Sequence, residues 1–325
     1  MRKLYLKFTG ILLFFVSYFL VFIAFDTNDF SRIRADYLHN ITDTKVVSYN
    51  GDKTFLNSPY PLMKYINDID KNNEYSIILG DSKFAFLDVI RLSSISGEKY
   101  LNISYGGAAL EESILEFWYT VKRLKLKKVI FELDFHALNN NWRMDRISKY
   151  FDKSYLDMIK AYYFDYYNNK TMLEEVYKKI RGITNEENTS KAELVKKGIE
   201  DKIKVLKTYT INEEAVENLK EISKYCKEND IKLIFFSPPL YHKISDLVEE
   251  KKDLVEELHE IKSELSKDAV VYDMQDTSEL SYMESDWLDS SHFTGGIMRQ
   301  VEDNLAGISH KYMKIWENGQ YDKSK

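Results

Sequence analysis

Tyr75-Ser-Ile-Ile-Leu79 runs straight into Gly80-Asp81-Ser82. The first five residues form a short apolar run of the kind that makes a buried strand, and the glycine allows the sharp strand-to-helix turn that can present a serine hydroxyl. Four further runs have the same character: Tyr100 to Ser104, Lys128 to Leu133, Ile231 to Phe236 and Ala269 to Asp273. Helical patterns lie between most of them, at Leu110 to Leu124 and at Glu213 to Asn229, where Ala215, Leu219, Ile222 and Tyr225 share a face. Alternating β and α units predict an α/β fold with a three-layer parallel sheet, in which ligands sit at the carboxyl ends of the strands. Ser82, Gly106, Gly107, Asp134, His136 and Ser237 all fall at or just beyond such ends.

More than 200 residues after Ser82 comes Asp289-Ser-Ser-His292, ahead of a helical pattern from about Gly296 to Trp316 with Ile297, Val301, Leu305, Ile308 and Tyr312 on one stripe. A serine at a strand end with a distant Asp/His pair supplies the parts of a hydrolytic triad. Three residues of separation put Asp289 and His292 on one tight turn, so the carboxylate can orient the imidazole while its other nitrogen faces Ser82.

The 325 residues, 44% hydrophobic with 4 prolines and 12 glycines, can bury a full core and form one main catalytic domain, 73 to 318. A net charge of -6 leaves no basic footprint, which argues against nucleic acid as a partner. The six histidines and lone Cys226 show no zinc-type spacing, so neither metal nor other cofactor is expected. Phe8 to Phe25 is uncharged and almost wholly apolar, close to the roughly 20 residues of a membrane-crossing helix. Arg2, Lys3 and Lys7 mark a cytoplasmic stub, 1 to 7, and Asp26 and Asp29 open the distal flank, so residues 8 to 25 read as a single-pass anchor of the cell membrane with the catalytic domain extracytoplasmic. Phe22-Ile-Ala24-Phe25 offers no small-x-small cleavage site, which favours an anchor over a cleaved signal peptide.

Residues 26 to 72, with Pro59 and Pro61, form a polar connector. A long stretch without a strand pattern, about 139 to 212, predicts inserted helices with a polar loop at Thr184 to Ser190. Tyr150, Phe151, Tyr155, Tyr162, Tyr163, Phe164, Tyr166 and Tyr167 crowd its first half; packing is their commoner use, and stacking on sugar rings the alternative. His136 beside Asp134 reads as a structural histidine or as a second contact with substrate. His39, His242, His259 and His310 read as surface residues, the prolines of Ser237-Pro-Pro239 as a stiffener of the pocket rim, and the charges of 249 to 257 as the solvated face of a helix.

Ile77 to Ser82, Asn102-Ile-Ser-Tyr-Gly-Gly107 and Asp289 to His292 together resemble three blocks of the SGNH (GDSL-type) hydrolase superfamily, in order over about residues 73 to 312. With the anchor, the chain resembles membrane-tethered members that serve polysaccharide O-acetylation and the DltD-like group of teichoic-acid D-alanylation. The resemblance implies Ser82 as nucleophile, His292 as general base and Asp289 as its orienter. It implies an oxyanion hole from the N–H groups of Ser82 and Gly107, with Gly106 as the alternative register. The third block departs: where the family has Gly-x-Asn-Asp, this chain has Phe131-Glu-Leu-Asp-Phe-His-Ala-Leu-Asn139-Asn140, leaving Asn139 as a third oxyanion donor or a turn residue. The implied activity is O-acyl transfer, chiefly O-acetyl, to a cell-surface polysaccharide or teichoic acid, with a membrane-bound O-acyltransferase as partner. An esterase using the same triad and a non-catalytic scaffold are the alternatives.

Overall fold

A computed structural model describes residues 2–25, 66–67, 69–148, 153–182, 190–275 and 278–322. The connector prolines, His39, Tyr150, Phe151 and most of the 184–190 loop lie outside them. Five strands, β1 (Glu74–Leu79), β2 (Tyr100–Asn102), β3 (Lys125–Glu132), β4 (Lys232–Ser237) and β5 (Val270–Asp273), pair in parallel in the order β2-β1-β3-β4-β5. The central strands β1, β3 and β4 carry runs of Val, Ile, Leu or Phe whose side chains are buried, the composition of strands covered on both faces. The expected strands therefore stand within a few residues of their sequence bounds.

Two elements extend the sheet that the sequence reading did not foresee. β6 (Lys314–Glu317) runs antiparallel to β5, and β7 (Gln320–Asp322) antiparallel to β6, giving seven strands in a mostly parallel sheet. The last helix is correspondingly shorter than its apolar stripe suggested, ending at Leu305. Gly307, at φ +75°, turns the chain left-handed just past it, and Ile308 is left exposed. Tyr312 and Ile315 then belong to the turn and to β6 rather than to a helix.

Among the described residues the α-helices are α1 (Arg2–Ala24), α2 (Ser82–Ala85), α3 (Val89–Ser96), α4 (Leu110–Val121), α5 (Tyr155–Phe164), α6 (Tyr166–Arg181), α7 (Lys191–Lys207), α8 (Glu213–Glu228), α9 (His242–Glu249), α10 (Lys252–Leu265) and α11 (Gly295–Leu305). α8 packs on α4 and β4 through the face that carries Ala215, Leu219 and Ile222. α10 turns Leu254, Leu258 and Ile261 inward and its charged face to solvent.

The expected insertion is a closed excursion. Asn140 N–H donates to Thr210 O at 2.8 Å and Asn212 N–H to Leu138 O at 2.9 Å, so the chain leaves and rejoins the sheet body at one point. Between those pins stand α5, α6 and α7. Along the sheet, chain order reverses between β1 and β3, which opens a crevice at their carboxyl ends. Ser82 lies on one side of that crevice. α1 contains an apolar stretch, Tyr5–Phe22, long and apolar enough to cross a membrane.

Candidate active site

Each residue of Gly80-Asp81-Ser82 has a local reason. A Cβ on Gly80 would lie 2.4 Å from Glu132 Oε2, so only glycine lets the Glu132 side chain cross the turn. Its carboxylate then accepts from Asp81 N–H at 2.7 Å. Asp81 is the N-cap of α2, its Oδ1 accepting from Lys83 N–H at 2.8 Å, and this leaves Ser82 at the first helical position. Asn102, at the end of β2, donates from Nδ2 to Phe84 O at 2.7 Å and holds the short helix against the sheet.

The ammonium of Lys83 is buried among three carboxylates, Asp81 at 2.7 Å, Asp134 at 2.8 Å and Glu132 at 3.0 Å, one for each of its N–H donors. Burial opposes its charge, but the three acids outweigh it and push Lys83 well above the usual lysine range. Burial likewise works against Asp134, yet Lys83 and Lys202 hold it down at about 2. Glu132 takes the opposite course: burial first, and then the neighbouring Asp81, push it up to about 8. Three anions around one cation would leave a buried net charge, and retention of a proton on Glu132 reduces it.

From the far end of the chain, residues 287–293 fold into a tight hairpin. Trp287 and Phe293 pair as an antiparallel bridge, both fully buried and packed edge to face at 5.7 Å. Leu288 N–H closes the loop onto His292 O at 2.8 Å. Its base is fastened to α11, because Asp286 Oδ2 accepts from Gly296 N–H and Ile297 N–H at the helix N-terminus. Gly295 has φ +56°, and any Cβ there would sit 2.8 Å from the Asp286 carboxylate.

The hairpin tip brings Asp289 and His292 to Ser82. Ser82 Oγ lies 2.7 Å from His292 Nε2, and His292 Nδ1 lies 2.7 Å from Asp289 Oδ2, across 210 residues of sequence. Asp289 Oδ1 also accepts from Ser291 N–H at 2.6 Å and His292 N–H at 2.9 Å. Partial burial opposes the charge on Asp289, but its bonds from His292 and these two amides overcome that and lower its pKa. An ionised carboxylate only accepts, so the imidazole proton belongs on Nδ1, and Nε2 is left to accept from Ser82. Phe86 braces the ring edge-on at 6.1 Å. This is the geometry in which an imidazole can take a serine proton.

Gly107 sits at φ +65° in the turn after β2, where Tyr105 N–H reaches Gly80 O and Ala108 N–H reaches Tyr105 O. Its own carbonyl accepts from Arg146 Nη2 at 2.9 Å. Among the described residues neither the Ser82 nor the Gly107 N–H has an acceptor within the chain, as oxyanion donors require. Asn139 is placed differently. Its Oδ1 accepts from Asn141 N–H at 3.1 Å in a local turn, its backbone bridges Ile211, and no contact joins it to Ser82 or His292 among the described residues. The turn role expected of Asn139 is the one the geometry carries.

His136 is a packed histidine. Its ring lies 4.6 Å from that of Trp142, its backbone N–H donates to Asp134 Oδ1, and burial, with Lys202 nearby, lowers its pKa to about 4. Ser237 Oγ donates to Leu133 O at 2.7 Å, and Pro239 lines a small cavity behind the hairpin. Cys226 is free and buried, its thiol pushed up to about 12. Among the described residues no group of acidic, histidine or cysteine side chains has the arrangement of a metal site.

Neither the Lys83 cluster nor a second lysine, Lys202, is among the residues expected from the sequence. A charged residue ending the apolar run Val-Ile-Phe-Glu132, paired with a lysine next to the serine, was the available signal. Lys202 had none, because it arrives on α7. That helix packs on the hairpin at Gly198, where a Cβ would come 1.9 Å from Ser290 Oγ. One turn on, Lys202 lines the same small cavity as Ser290 and Ser291, its Nζ 5.6 Å over the Phe135 ring, and burial pulls its pKa down to about 8. The insertion therefore contributes a positive charge behind Asp289.

No protein-family model matches this sequence, and no curated protein matches it either.

Proposed function

We propose that this chain is a serine acyl-transfer protein of the SGNH type, built on a three-layer, flavodoxin-like sheet. Within that class it reads best as a membrane-anchored, extracytoplasmic O-acyltransferase, chiefly O-acetyl, acting on a cell-surface polysaccharide or teichoic acid. The observation that carries this reading is the 2.7 Å and 2.7 Å relay from Ser82 through His292 to Asp289. The strand order β2-β1-β3-β4-β5 adds to it, because Ser82 stands at the switch point where open α/β sheets bind ligands.

Ser82 Oγ attacks the acyl carbonyl while His292 Nε2 takes its proton, and the oxyanion forms against the N–H groups of Ser82 and Gly107. The carbon–oxygen bond to the donor breaks as His292 returns the proton to the leaving oxygen, leaving the acyl group on Ser82. A polymer hydroxyl then gives its proton to His292 and attacks the acyl carbon, and the bond to Ser82 Oγ breaks as His292 returns that proton to the serine. Water in place of that hydroxyl makes the same site an esterase, the DltD-like reading differs in carrying D-alanyl, and a membrane-bound O-acyltransferase is the partner suited to deliver the donor. The test is turnover of p-nitrophenyl acetate by the full chain with and without a polysaccharide acceptor. Transfer predicts faster release of p-nitrophenol and acetylated polymer when acceptor is present; release unchanged by acceptor, with free acetate as sole product, overturns transfer in favour of hydrolysis.

A further inference from the structure

The aromatic first half of the insertion packs against α1. Phe22, only 1% exposed, meets the rings of Tyr162 and Tyr163 at 5.8 and 5.1 Å, and Phe19 meets Tyr163 and Phe164 at 5.7 and 6.2 Å. Tyr18 OH donates to Asn169 Oδ1, whose Nδ2 in turn donates to Tyr163 O at 3.1 Å. All three α1 residues belong to the last two turns of the apolar stretch Tyr5–Phe22. At 1.5 Å per residue that stretch is about 27 Å long, close to the hydrocarbon thickness of a bilayer, and Tyr18 lies only about 6 Å below its far end. Whatever touches Tyr18 and Phe22 is held at the depth where acyl chains give way to headgroups.

α6 starts from that contact and keeps a stripe of large apolar side chains in the open. Tyr166 (72% exposed), Leu173, Tyr177 and Ile180 (77% exposed) recur at spacings of seven, four and three, which places them within about 60° of one another around the helix. Lys170 flanks the stripe. An aromatic and aliphatic face with lysine at its margin, on a helix fixed at headgroup level, has the composition of an interfacial helix.

We infer that α6 lies against the bilayer surface with its Tyr166–Leu173–Tyr177–Ile180 face in the headgroup and upper acyl region. This rests on α1 crossing the membrane and not on the chemistry assigned to Ser82. Its consequence is that the catalytic body has a second attachment to the membrane besides its anchor. The insertion then links lipid to the active site, since α7, which follows α6 in the chain, packs on the Asp289–His292 hairpin.

Cys226 is buried, so introduced cysteines at Phe14→Cys, Leu173→Cys, Tyr177→Cys and, on the exposed face of α8, Lys224→Cys can each carry a bimane label in the full chain. The labelled proteins are compared in nanodiscs of ordinary phosphatidylcholine and of phosphatidylcholine brominated along its acyl chains. The inference predicts loss of emission in brominated nanodiscs at 14, 173 and 177, with emission at 224 unchanged. Loss at 14 without loss at 173 and 177 overturns the docking while leaving the anchor intact, whether the labels there emit as in water or are covered by another part of the chain. No loss at 14 overturns the membrane reading itself and the docking with it.

Discussion

Ser82 and His292 reach one crevice from two unlike scaffolds. The serine follows the central strand β1 and is set by contacts that are almost all buried: Glu132 across Gly80, Asp81 as cap, and Lys83 saturated by three carboxylates. The Asp289–His292 arm stands on a hairpin outside the sheet, with both side chains more than a quarter exposed, held by turn amides, the edge of Phe86 and the flank of α7. The proposed nucleophile thus stands, itself half-buried, beside a largely buried charge cluster, and the proposed base is held by short-range packing nearer the surface. Substitutions on the first side should act mainly through stability, and on the second mainly through turnover.

The largest expected effect is on the hairpin side. His292→Ala removes the proton acceptor and should lower kcat/KM for p-nitrophenyl acetate by roughly ten-thousandfold, with the unfolding midpoint nearly unchanged. Lys83→Met tests the other side. It leaves Asp81, Glu132 and Asp134 without their cation and should cost about 3–5 kcal/mol in urea unfolding of the full chain in detergent. A loss below 1 kcal/mol would erase the contrast between the two scaffolds.

A smaller effect is expected at Gly198→Val, which presses α7 against Ser290 and shifts the hairpin. Displacement of about 1 Å at the acid–base arm lowers turnover by up to about a hundredfold, and the accompanying Ser290→Gly change should restore part of it. The last is a pH effect. Glu132 has its folded pKa raised, so the stability it contributes is full below 4.5, its ordinary value, and is lost as pH rises to about 8. In Glu132→Gln the fall in stability between those pH values should flatten; an unchanged slope would show that Glu132 does not hold the proton.

Much of this was legible in the sequence because the signals were local. Strand runs, the Gly-Asp-Ser turn and the Asp-x-x-His spacing each report a conformation that nearest neighbours decide, and the insertion showed itself by the absence of a strand pattern over some seventy residues. What was not legible depends on contacts far apart in the chain. β6 and β7 were hidden because Ile308 and Tyr312 continue a helical stripe past a glycine that ends the helix. Lys83, Glu132 and Asp134 come from two different strand ends, and Lys202 from a helix with no pairing pattern to announce it. The aromatics of α5 and α6 read as core or as sugar-binding, and the residues that decide between them are Phe19 and Phe22 of a helix over 140 positions away.

The most direct measurement is covalent capture at the serine. The full chain in detergent is exposed to a fluorophosphonate probe, and the adduct is located by intact-mass and peptide mass spectrometry in wild type, Ser82→Ala and His292→Ala. The account predicts a single adduct on Ser82, absent from Ser82→Ala and formed far more slowly in His292→Ala. A folded wild-type protein that takes no label, or one labelled at Ser82 at the same rate without His292, would contradict it.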